Sequence, residues 1–108
     1  MSINWQKVVV SPSDSIKDVL EIIDKEALRV ALVVDEQKLI GMVTDGDVRR
    51  GILQGVELAS PISLIMNTNP VSANQSLSSN ELKALMQSKR ILSLPITSEK
   101  GELVGLKT

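Results

Sequence analysis

Apolar residues follow two rhythms along this chain. Val19, Ile22 and Ile23 recur at helical spacing, and so do Leu82, Leu85 and Met86. The runs ALVVD (31–35), LIGMVT (39–44), LPITS (94–98) and LVGLKT (103–108) are instead short, nearly continuous and rich in β-branched residues. Such runs predict buried strands. Each apolar helix face is preceded by a start signal. Ser15 stands three residues before Asp18, and Ser78 three before Glu81, the second pair being a Ser-x-x-Glu capping box. The pattern predicts strand, helix, strand, hairpin and strand, twice over. A further helix is predicted in the first unit from about Asp45 to Gln54, with Gly55 as its stop.

The two units are similar in sequence as well as in rhythm. VSPSDSI (10–16) matches VSANQSL (71–77) at an offset of 61. The cap serines, the helix faces and the ALVVD and LPITS runs match at 63, and LIGMVT matches LVGLKT at 64. This drift predicts two insertions: two residues in the loop before the helix, and one in a hairpin turn near Gly101. Insertions of this kind belong in loops. The expected division is residues 1–60 and 61–108, joined by a connection over 56–70 punctuated by Pro61 and Pro70. At the 61-residue offset Trp5 falls on Met66, and both are expected to be buried on their own unit. One unit cannot cover its own sheet. Two packed about a pseudo-twofold axis can, which predicts two equivalent clefts between them. The expected fold class is α/β (α+β), a tandem β-α-β-β-α repeat with its second copy truncated.

Composition then removes several functions. Of the 108 residues 43% are apolar, Trp5 is the one aromatic, and net charge is −1 with acids and bases interspersed. No basic patch or aromatic row suits nucleic acid. No apolar run approaches the ~20 residues of a membrane span. No long apolar segment of a secretory signal opens the chain, so a cytoplasmic location is expected. The sequence has no His, Cys or Tyr, so the common nucleophile and acid–base arrangements and a His- or Cys-ligated metal are absent. The chain alone is not expected to be an enzyme.

What remains is TDGD (44–47), where a strand hands over to a helix. Thr44 is a good cap, Asp47 reaches back to it, and Asp45 and Asp47 suit the positive end of the helix. Gly46 has no such role, and glycine there costs up to ~1 kcal/mol relative to alanine. Its usual benefit is close approach of another group to the backbone. Thr44, Gly46 and Asp47 are therefore candidates to hold a nucleotide, with Asp47 on ribose hydroxyls and Thr44 near phosphate. Arg49 or Arg50 would supply the balancing charge, although a solvated face or an ion pair is the commoner role of such arginines. DGD lacks the ligand spacing of a calcium loop.

A repeat whose last strand runs GMVTDGD resembles the CBS domain pair, or Bateman module. The stretch TDGDVRRGILQGVELASPISLIMNTNP is similar to the CBS pair placed N-terminal to sugar-phosphate nucleotidyltransferases of the mannose-1-phosphate guanylyltransferase type. A related TDGD-x-RR occurs in CBS pairs of sugar-phosphate isomerases. The resemblance implies a regulatory module binding AMP, ADP, ATP or S-adenosylmethionine, attached to a nucleotidyltransferase domain and forming a homodimer. The alternatives are a structural, dimerising module without a ligand, and the CBS pair of an isomerase. It implies the ribose contact at Asp47 and the phosphate-side hydroxyl at Thr44. Val10, Ser11 and Pro12 would line the adenine through backbone groups, Leu32 and Val33 would flank the base, and Arg50 belongs to the same set. In the second unit Thr108 matches Thr44, but no aspartate or second helix follows. The first-half site is thus the expected one, and the chain is expected to be a piece of a longer protein.

Overall fold

The computed structural model describes residues 4–108; residues 1–3, the start of the expected first repeat, lie outside them. Three strands form each of two sheets. In the first sheet, β1 (Val9–Val10) pairs in parallel with β2 (Val30–Asp35), which pairs antiparallel with β3 (Lys38–Thr44). The second repeats this with β4 (Ala73–Asn74), β5 (Leu94–Thr97) and β6 (Leu103–Lys107). Helix α1 (Ile16–Lys25) crosses from β1 to β2, and α3 (Ser79–Lys89) crosses from β4 to β5. Helix α2 (Asp45–Leu53) follows β3. This is the expected α+β repeat.

The predicted caps are present. Ser15 Oγ accepts the Asp18 N–H at 3.1 Å, and Ser78 and Glu81 close a reciprocal box, both bonds at 3.1 Å. Helix α2 ends one residue before Gln54. Gly55, at φ +93°, donates its N–H to Ile52 and lets Val56 donate to Gly51. Those two bonds are the Schellman closure that a left-handed residue permits.

Strand β2 is buried on both faces, which is why ALVV reads as a continuous run. Ala31 and Val33 face α1 and α2 and pack with Val10, Val19, Ile23 and Val48. Val30 and Leu32 face the other way and meet Leu103 and Leu106 of β6. The two halves therefore share one apolar seam. Backbone bonds stitch it at the hairpin: Leu39 N–H donates to Gly101 at 3.1 Å and Leu103 N–H to Gln37 at 3.0 Å. The second half packs its own smaller core around Leu82 and Leu94.

Strand register corrects one offset. Val10 pairs with Val33, and Ala73 pairs with Ile96. Val10 therefore corresponds to Ala73, 63 residues on, instead of to Val71. The two extra residues lie ahead of β4, not in the loop before the helix. The single insertion near Gly101 stands, since Gly41 pairs with Val33 and Gly105 with Ile96.

The connection belongs physically to the first half. Ile62 is fully buried in that half's core, its N–H donating to Asp14 at 2.7 Å. Asn67 exchanges both backbone bonds with Met42. Ile65 and Met66 seat on Gly51 and Gly41, where an added Cβ would lie 2.7 Å from Ile65 Cγ2 and 2.6 Å from Met66 Sδ. Met66 thus packs on the first half, and not on the second as its pairing with Trp5 implied. Trp5 packs at the seam between the sheets. The expected division at 60/61 falls inside this segment.

Candidate functional site

Thr44 ends β3 and caps α2. Its Oγ1 accepts the Asp47 N–H at 3.4 Å, while its own N–H and O–H both donate to Asp47 Oδ2, at 2.9 and 3.1 Å. The other carboxylate oxygen, Oδ1, accepts from Arg50 Nη2 at 2.6 Å. Asp47 is therefore occupied on both oxygens, and its side chain is only 18% exposed. Arg49 pairs with Asp45 at 2.8 Å on the surface.

Arg50 also accounts for Gly46. A Cβ built on Gly46 would stand 3.2 Å from Arg50 Nη1. The guanidinium lies across the first turn of α2 to reach Asp47, and a Cβ on Gly46 would crowd that path. The close approach inferred from the sequence is real, but the approaching group is internal.

Between the halves runs a groove of about 530 Å³, lined by 27–30, Met42, Thr44, 91–93 and Thr108. Its size falls within the range of small-ligand sites. The walls are related by the repeat: Leu28, Arg29 and Val30 lead into β2, Val30 being its first residue, as Ile91, Leu92 and Ser93 lead into β5, and Thr44 answers Thr108. Arg29 is the one charged residue among these lining groups.

Of the expected site residues, the groove receives Thr44. Asp47 and Arg50 border a separate, smaller recess of about 190 Å³, against Leu64, Ile65 and Met66 of the connection. Val10, Leu32 and Val33 are buried in the cores, so Leu32 and Val33 do not flank the groove. Alternating strand geometry sends Leu32 into the seam and Val33 under α1. Ser11 closes a local turn, its N–H donating to Asp14 Oδ2 at 2.9 Å. The apolar flanks are Leu28, Met42 and Ile91. The repeat offset of 63, which places Leu28 opposite Ile91, is a signal that could have found two of the three.

A family model described as CBS domain matches residues 3–54 and 62–106. The chain is 30% identical over 92 residues to arabinose 5-phosphate isomerase GutQ of Salmonella typhimurium, covering 84% of this chain and 29% of that protein's length. The CBS domain-containing protein YhcV of Bacillus subtilis is 32% identical over 102 residues, covering 94% of this chain and 72% of the relative. Among solved structures, CBS domain protein PAE2072 from Pyrobaculum aerophilum, complexed with AMP, superposes with a TM-score of 0.79. That likeness is at 20% identity and covers 94% of this chain and 79% of the other. No helix among the described residues is long and apolar enough to cross a membrane.

Proposed function

Since the chain belongs to the CBS domain family, we propose that it is a regulatory module whose inter-lobe groove takes an adenine nucleotide. The observation that carries this reading is the groove itself: largely apolar walls from both repeats, three hydroxyl side chains and a single cation. The AMP complex of the similarly folded PAE2072 supports it.

Thr44 is the polar group that the groove offers a sugar. Its proton is committed to Asp47 Oδ2 and one lone pair accepts the Asp47 N–H, so Thr44 Oγ1 keeps one lone pair as an acceptor for a ligand. Lone pairs suit a ribose hydroxyl, which donates, better than a phosphate oxygen, which also accepts. Asp47 acts as a positioning residue here, orienting Thr44 through two bonds. ADP, ATP and S-adenosylmethionine share the adenosyl part that this arrangement would hold.

The attached catalytic domain is one that acts on a sugar phosphate. The stretch from Thr44 to Pro70 supports a nucleotidyltransferase of the mannose-1-phosphate guanylyltransferase type. The likeness to GutQ favours a sugar-phosphate isomerase as the second reading. Exposed Ile52, Leu53 and Leu64 are consistent with association into a homodimer.

Titration calorimetry with AMP, ATP and S-adenosylmethionine tests the groove. The wild-type chain should bind at least one, and Ala27→Trp, which fills the groove from an exposed position, should bind none while melting normally. Silence from all three ligands, or undiminished binding by Ala27→Trp, refutes the reading.

A further inference from the structure

A second recess lies toward the hairpin end of the seam between the halves. Val30 lines the groove and Val34 lines this recess. The two stand four residues apart on β2, roughly 13 Å at the rise of a strand. The recess measures about 320 Å³ and is lined by Trp5, Val34, Gln37, Glu102, Leu103 and Val104. None of these residues belongs to the groove or to the Thr44 box.

Trp5 is the one aromatic residue of the chain, and it stands half-buried in an otherwise aliphatic seam. Glu102 is engaged through its backbone, which bonds with Ser98. Among the described residues its carboxylate has no hydrogen-bond or ion-pair partner, even though Lys38 lies across an isolated β-bridge from it. Gln37 is exposed, and its carbonyl accepts the Leu103 N–H at 3.0 Å. Val104 is 41% exposed. The two hairpin turns that meet here carry Asp35, Glu36, Glu99 and Glu102 against Lys38 and Lys100. Carboxylates thus outnumber ammonium groups at this end.

An arginine side chain matches this combination. Its stem is apolar, like the valine and leucine walls. Its guanidinium plane stacks on an indole face. Its donors fit a carboxylate fork and an amide oxygen. Lysine offers a more strongly hydrated point charge and no plane to stack.

We infer that this recess is a docking site for an arginine presented by another protein segment. The stem lies along Val34 and Leu103, and the guanidinium sits between Trp5 and Glu102. The acidic turns steer a basic segment toward it.

Peptide titrations followed by the indole N–H resonance of Trp5 test this, because the chain has one tryptophan to report. At constant ionic strength, acetyl-Gly-Arg-Gly-amide should shift that resonance saturably. The corresponding lysine peptide should bind about threefold more weakly, and the glutamine peptide should not bind. Glu102→Gln should weaken the arginine peptide by about fivefold. Val104→Lys, which sets a like charge in the recess, should abolish binding. Thermal melts check that both variants fold. No saturable shift with the arginine peptide, an equal response to the glutamine peptide, or undiminished affinity in both variants refutes the inference. Tetramethylammonium binding as tightly as the arginine peptide would make the recess a general cation site and overturn the arginine assignment.

Discussion

Thr44 and Asp47 hold each other reciprocally across the first turn of α2, through three hydrogen bonds of 2.9 to 3.4 Å. The box satisfies a backbone donor at each end of the turn, which is how a short helix survives a solvent-facing start. It also fixes Thr44, the side chain that the end of β3 presents to the groove.

That box should be measurable as stability. Thr44→Ala should lower unfolding free energy by about 1 kcal/mol, and Thr44→Ser by much less, because serine keeps the oxygen. For a domain of this size the alanine variant should melt ~4–8 °C below wild type. Equal melting of the serine and alanine variants would show that the hydroxyl does no capping.

Gly46 and Arg50 should be coupled. Alanine at a helical glycine normally stabilises by up to ~1 kcal/mol. Here its Cβ would meet Arg50 Nη1 at 3.2 Å. Gly46→Ala should therefore gain little in wild type and most of the expected increment in an Arg50→Ala background. A double-mutant cycle by urea unfolding measures the difference, and additivity would refute the contact.

Leu64 and Ile62 make opposite predictions two residues apart. Ile62 is fully buried beneath the connection, and Leu64 is 64% exposed. Ile62→Ala should cost ~2–5 kcal/mol, and Leu64→Ala about 0.5 kcal/mol or less. Similar losses from both would mean that the connection does not anchor on the first half.

The first hairpin carries avoidable strain. Glu36 and Gln37 sit at φ +49° and +71°, where Asn-Gly is the favoured pair. Replacing them by Asn-Gly should raise stability by about 1 kcal/mol, since L side chains disfavour that region. An unchanged or lowered urea midpoint would show the turn to be relaxed as it stands.

How much was legible in advance differs by residue. Both helix caps were readable, because Ser15, Ser78 and Glu81 act within one turn of their own backbone. Gly46 was rightly noticed as unusual, but its partner was not identifiable. Arg50 reaches it only through a rotamer chosen in the folded helix. The match of Val10 to Val71 followed identical letters, whereas Ala73 holds the equivalent position by virtue of its hydrogen bonds to β5. Arg29 and Leu92 carried no motif of their own.

The sequence by itself determined what short-range physics settles: the order of elements, the doubled unit, the caps, and the aliphatic strands that need cover on both faces. The tertiary structure alone decided which face each β2 residue turns, where the connection packs, and that Asp47 is satisfied internally while Thr44 meets the groove. Those outcomes depend on strand register and on docking between distant segments. Many pairings would satisfy the same local pattern, and only the simultaneous packing of both halves selects one.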